Sequence, residues 1–188
     1  CVPGDLYKTD FACTATDWKL DAKPANSSGG WGLDATPNPP GAKSAACALN
    51  FNNGTNFLCV DEALAGGIAK SYATGPVLDL SKLDPKAQIK VKFWLAGAWE
   101  NGSYDNLVLE LSLDGGGTWA QLVDLDGTPG GVYVAKAYVL PNAAGKKIQL
   151  RFAFNTTDCA YNDYAGPFVD DLAIVDAKPA QVVTIIAP

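Results

Sequence analysis

The sequence predicts an all-β fold, an antiparallel sandwich of two sheets, and three observations predict it. Apolar and polar residues alternate at a period of two along several segments. The connections between those segments carry the glycine, proline and asparagine. Almost no stretch shows a helical period. At 188 residues and 48% hydrophobic content, the chain suits one domain with a sizeable core. That domain is placed at residues 1–177, with 178–188 as a C-terminal tail.

The elements follow in order. Ile89, Val91, Phe93 and Leu95 alternate with Lys90, Lys92 and Trp94. Ile148, Leu150, Phe152 and Phe154 alternate with Gln149, Arg151 and Ala153. Both patterns give a strand one buried face. Val132 to Leu140 is a third β-rich segment, closed by Pro141-Asn142, and Phe168 to Val175 is the last strong one. Asn26 to Lys43, with Ser-Ser-Gly-Gly and Pro-Asn-Pro-Pro-Gly, reads as a long surface loop. Asp61 to Lys70 is the one candidate for a short helix. Eight to eleven strands account for the chain.

Residues 105–119 carry the most information. Leu107, Leu109 and Leu111 fall on one face, and Val108, Glu110 and Ser112 on the other. A turn follows in which Asp114 can accept hydrogen bonds from amides, glycines take positive φ, and Ser112 and Thr118 tie the two arms together. Trp119 then covers the hairpin. The pattern Ser112-x-Asp114-x-Gly116-x-Thr118-Trp119 resembles the Asp-box, a turn found in sialidase blades and, singly, in extracellular jelly-roll domains. Its expected role is structural.

Composition excludes several functions. A net charge of −6, with 14 Lys and Arg against 20 Asp and Glu, supplies no basic stripe for nucleic acid. No apolar run approaches the roughly 20 residues of a spanning helix. The absence of Met means residue 1 is not an initiator, which predicts a lost leader peptide and export. The absence of His removes the usual general base and the commonest zinc ligand. Glu100, Asp105 and Glu110 lack the spacing of a glycosidase pair on one strand face. The expectation is a protein that is not an enzyme.

Five cysteines fit an oxidising compartment, secreted or at the cell surface. Cys47 and Cys59 flank a segment with Asn53-Gly54 at its midpoint, so a hairpin there predicts a Cys47–Cys59 bridge. Cys13 and Cys159 then form the second pair, with Cys1 left over. Cys1–Cys13 with Cys159 free is the alternative, since spacing does not settle connectivity. A leftover N-terminal Cys is also what a lipid-modified surface protein shows, the one route to a membrane. Four Asn-x-Ser/Thr sequons stand at Asn26, Asn53, Asn101 and Asn155, all in expected loops or turns.

The order of the pieces resembles a family. Asp17 to Leu20, Trp31-Gly32, Ala46 to Phe51, Gly75 to Leu80, the 105–119 run, Gly145 to Phe152 and Gly166 to Ile174 are similar to the MAM-like jelly rolls. These include reelin subrepeats, gingipain adhesin modules and accessory domains of immune inhibitor A-type metalloproteases. The likeness covers residues 10 to 176. It implies a non-catalytic extracellular module, often calcium-stabilised, that binds a glycan or a surface protein. It also implies that Asp170 or Asp171 is a Ca2+ ligand, with Asp105 a further candidate, although Phe11 is followed by Ala12 where the family often has an acidic residue. In a regular strand Asp170 and Asp171 point to opposite faces.

Exposed aromatics suit a sugar. Trp99 with Tyr104, and Tyr161 with Tyr164, lie in expected loops and are the candidate platforms. The tail offers a second class of function. Gln181 to Ala187 is short, apolar and β-prone, so it is either an edge strand or a strand donated to a neighbour in a fibre or surface assembly.

Overall fold

A computed structural model of the protein describes residues 4–13, 17–35, 42–44, 46–61, 66–100, 103–125 and 131–177. These form twelve strands: β1 Asp5–Thr9, β2 Lys19–Leu20, β3 Gly30–Asp34, β4 Ala48–Asn52, β5 Ser71–Thr74, β6 Leu78–Asp79, β7 Ile89–Ala98, β8 Asp105–Ser112, β9 Ala120–Asp124, β10 Val134–Val139, β11 Lys147–Thr156 and β12 Gly166–Asp176. One sheet runs β10-β7-β12-β4-β3, with β1 also on β12. The other runs β2-β5-β11-β8-β9, with β6 also on β11. Every strand pair is antiparallel. The all-β jelly-roll sandwich is therefore the fold. Tail residues 178–188, Cys1 and Asn101 lie outside the described residues, as does part of the 61–70 helix candidate, whose residues 66–70 carry no helix.

The alternating leucines, isoleucines and phenylalanines face inward and fill the space between the sheets. Aromatic rings bridge it. Phe51 of one sheet lies 4.8 Å from Phe154 of the other, and Phe93 lies 5.4 Å from Phe152, on which Trp18 stacks at 5.7 Å. Each such pair adds about 0.5–1.5 kcal/mol beyond simple burial.

The twelve strands exceed the expected eight to eleven, and two further sequence expectations are corrected here. Gly30–Asp34, inside the expected 26–43 loop, is a strand: Trp31 is buried and its Nε1 donates to the Ser71 carbonyl at 3.0 Å. Glycine at residue 29 marks close backbone approach rather than looseness, because a Cβ there would lie 2.7 Å from the Asn52 backbone. The cysteines pair as Cys13–Cys47 and Cys59–Cys159, not as Cys47–Cys59 and Cys13–Cys159. A turn does form at residues 53–56, where Asn53 N donates to the Asn56 carbonyl, but β4 pairs with β3 and β12, and among the described residues no strand returns from the turn to oppose it. Along one side of β12, β4 covers Phe168 and Val169 while β1 covers Leu172 to Val175. The end of β1 thus meets the start of β4, and Cys13 meets Cys47 there.

Candidate functional site

The tyrosines expected to bind sugar gather at one end of the sandwich. The loop joining β11 to β12 begins with Thr157, whose N donates to the Tyr104 carbonyl and whose Oγ1 donates to the Ser103 carbonyl, both at 2.6 Å. The loop that carries Tyr161 and Tyr164 is therefore tied at its start to the backbone beside Tyr104. The Cys59–Cys159 bridge holds the far side of the loop, and its sulfurs accept amide hydrogen bonds from Asn162 Nδ2 at 3.5 Å and Asn26 Nδ2 at 3.7 Å. Between them is an open hollow of about 500 Å³ lined by Leu58, Cys159, Ala160, Tyr161, Asn162 and Asp163.

Of the hollow's lining residues, Tyr161 is 67% exposed and Leu58 40%; Tyr104 and Tyr164 are exposed as well but do not line it. Asn162 also lines it but is buried: its Nδ2 donates to the Asp158 carbonyl and Cys59 Sγ, and its Oδ1, closed off from solvent, has no partner among the described residues. An unmet buried acceptor costs about 1–3 kcal/mol. Tyr161 also adopts φ +53°, a conformation that side chains with a Cβ avoid. Asp163 stands exposed beside it. Asn162 and Leu58 were not singled out in the sequence; an Asn between two Tyr in a Cys-bounded loop is the only trace.

Trp99 does not join the site. It is 6% exposed and belongs to the core, with an Nε1 that finds no partner among the described residues. Its position next to the end of β7 lets the ring fold back between the sheets, which is why a residue in an expected loop is part of the core.

The carboxylates expected to bind calcium are not brought together. Asp105 starts β8 and its Oδ2 accepts from Glu100 N at 2.9 Å. Asp170 and Asp171 lie in the other sheet, at an irregularity in β12 where Asp171 takes φ +49°. The bulge breaks the strand alternation, so both side chains meet residues 43–44 instead of diverging: Asp170 Oδ2 accepts from Lys43 N at 2.8 Å and Ser44 N at 3.2 Å, and Asp171 Oδ1 accepts from Ser44 Oγ. Asp170 Oδ1 accepts from Asp171 N as well. Burial pushes Asp170 above the usual carboxylate range, and these amides oppose the rise. Calcium takes about six to eight oxygens. Amide donors aimed at Asp170 are the wrong partners for a cation, and among the described residues no three acidic or cysteine side chains cluster. The residues present fit calcium poorly.

The 112–118 turn is closed on itself. Ser112 Oγ donates to Asp114 Oδ1 at 2.7 Å and accepts from Gly116 N at 2.8 Å, while Asp114 accepts from Thr118 N at 2.9 Å and Thr118 Oγ1 at 2.7 Å. Gly115 and Gly116 take φ +74° and +103°. Of the sequons, Asn53 uses its amide in a local hydrogen bond to Asn56, Asn26 uses its amide across the chain on the Gly67 carbonyl and Cys159 Sγ, and Asn155 lies within β11 rather than in a loop.

Comparison with known proteins supports the fold. No family model matches the chain, and no curated protein sequence does. Among solved structures, the K1 cleaved adhesin domain of Lys-gingipain from Porphyromonas gingivalis W83 is similar with a TM-score of 0.57 at 18% identity, over 89% of this chain and 96% of that one. The C-terminal family 22 carbohydrate binding module of Clostridium thermocellum Xyn10B has a TM-score of 0.55 at 13% identity, over 95% and 98%. The module TmCBM61, solved with β-1,4-galactotriose, has a TM-score of 0.52 at 15% identity, over 87% and 89%. At these identities the shared property is the architecture.

Proposed function

We propose that this protein is a non-catalytic, extracellular binding module that recognises a glycan at the loop end of the sandwich. The observation that carries it is the exposed Tyr161 ring at an open hollow, with the exposed Asp163 beside it. Sugar hydroxyls donate to the Asp163 carboxylate, and the C–H face of a pyranose suits a tyrosine ring. The carbohydrate and adhesin modules of the same architecture support the reading. Two disulfides support an oxidising, secreted or cell-surface setting. The non-catalytic part is supported by the way the carboxylates are occupied: Asp170 by amides, Glu110 by Arg151 at 2.5 Å.

A glycan array tests it, run on the wild type and on Tyr161→Ala and Tyr164→Ala. The expected result is binding to neutral oligosaccharides that both substitutions reduce at least tenfold with no change in melting temperature. Absence of binding to every neutral glycan, or binding that survives both changes, overturns it. Calcium belongs to this reading only as the family resemblance implies it. A melting temperature raised by calcium and lowered by EGTA would carry that part, since a ligand of the native state raises apparent stability.

A further inference from the structure

The outer face of the second sheet carries a polar row set by strand register. Lys19 of β2 lies opposite Thr74 of β5, Thr74 opposite Arg151 of β11, Arg151 opposite Glu110 of β8, and Glu110 opposite Gln121 of β9. At about 4.8 Å per strand the row spans roughly 19 Å. Arg151 is at its centre and is clamped. Its guanidinium carbon sits 3.9 Å from the Tyr72 ring centroid on one side and 4.1 Å from the Trp119 ring on the other. Its Nε donates to Glu110 Oε2 at 2.5 Å, and Lys70 Nζ lies 3.8 Å from Glu110 Oε1.

What the clamp leaves over points to a ligand. Three contacts immobilise the guanidinium, yet among the described residues none accepts a hydrogen bond from Nη1 or Nη2. That fork holds four of the side chain's five N–H donors, which stay open to solvent or to a ligand. Here the fork is unpaired on a side chain 18% exposed, with its rotamer entropy already lost. A planar fork of two parallel donors matches a carboxylate bidentately. Glu110 neutralises one cation, and Lys70 leaves the cluster net positive on a chain whose total charge is −6.

We infer that this face is a second binding site, distinct from the loop end, that takes an acidic oligosaccharide with a sugar carboxylate seated on the Arg151 fork. The row of Lys19, Thr74 and Gln121 offers neighbouring sugars hydrogen-bonding partners along the same line, which favours an extended saccharide over a single acid or a peptide side chain.

Calorimetric titration with tetragalacturonate, its methyl-esterified form and tetraglutamate tests the inference. The free acid should bind, and esterification, which removes the charge but not the ring, should weaken it at least tenfold. Arg151→Lys keeps a charge but loses the fork and should also weaken binding at least tenfold, at a melting temperature close to wild type. Glu110→Gln keeps an acceptor for Nε, removes the competing charge and should tighten binding several-fold, a gain that misfolding cannot mimic. Tyr161→Ala should leave this binding unchanged, separating it from the loop-end reading. Equal binding of acid and ester, an unaffected Arg151→Lys, no binding of tetragalacturonate, or binding of tetraglutamate alone would overturn it.

Discussion

The turn at residues 112–118 and the loop at 157–164 are both irregular, both use positive φ, and both present an aromatic residue, yet they are built to opposite ends. In the turn, the Ser112 hydroxyl and the Asp114 carboxylate are consumed by hydrogen bonds within a few residues. Its strained backbone falls on Gly115 and Gly116, where it costs little, and Trp119 lies against Arg151. In the loop, an acceptor is left unpaired at Asn162, the strain falls on Tyr161, and the ring of Tyr161 points to solvent. A segment whose polar groups are all satisfied explains itself by stability. One that keeps strain and an unmet hydrogen bond needs another reason, and ligand binding is the reason proposed here.

The largest expected effect separates how each region is held. The turn is held by side chains of its own residues and by one backbone bond, Gly115 N to the Lys147 carbonyl at 2.9 Å, while the loop is held by a covalent bridge across 100 residues. Removing that bridge as Cys59→Ser with Cys159→Ser should cost about 4.7 kcal/mol by the chain-entropy relation, against about 3.8 kcal/mol for the bridge between Cys13 and Cys47, whose separation is 34. Urea unfolding measures both. Sugar binding at the loop end should disappear only with the first. If both double variants keep it, the disulfide is a staple for the whole sandwich and has no special part in shaping the hollow.

A smaller effect is expected at the glycine corner. A Cβ at residue 116 would sit 2.4 Å from Gln149 Oε1 at φ +103°. Gly116→Ala should therefore cost about 1–3 kcal/mol, partly by displacing the Gln149 amide from the Gly75 carbonyl, to which it donates at 2.7 Å. Loop-end binding should be unchanged. Equal stability of the variant and the wild type would mean that the corner is looser than its hydrogen bonds suggest.

Acid should find the turn as well. Hydrogen bonds from Ser112 and then Thr118 hold Asp114 far below the usual carboxylate range. The folded state thus binds this proton more weakly than the unfolded chain. Its stabilising contribution is present above the ordinary Asp value of about 3.9 and fades as pH falls below it toward the lowered one. Asp114→Asn should flatten the stability curve in that acid window relative to wild type. A wild-type curve with the same slope as the variant would show that the turn does not couple to pH.

How much of this was legible beforehand depended on whether the signal was local. Leu107, Leu109 and Leu111 declare their face within five residues, and Ser112, Asp114 and Thr118 close a ring of hydrogen bonds within seven, so the strand and the turn could be read directly. Tyr161 and Tyr164 were readable as loop residues for the same reason. The cysteine pairing was not, because it depends on β1 and β4 meeting along β12, which no spacing encodes. Trp99 was misplaced because loop position and burial part company at a strand end. Arg151 showed only as the polar partner in an alternating strand. Its clamp comes from Tyr72, Glu110 and Trp119 on other segments, assembled by register alone.

The smallest expected change in stability is the most telling about the loop. Tyr161 holds φ +53° with a ring 67% exposed, so its Cβ costs about 1–2 kcal/mol of backbone strain that little packing repays. Tyr161→Gly relieves that strain but frees the unfolded chain by about 0.5–1 kcal/mol. The variant should come out within about 1 kcal/mol of wild type by urea unfolding, on the stable side, while neutral-glycan binding is lost. Glycine would then be the better residue for the fold and tyrosine the better residue for the ligand, which is the signature of a position kept for binding. A variant destabilised by 2 kcal/mol or more would place the ring among the packing contacts, and the loop would rejoin the turn as a structural device.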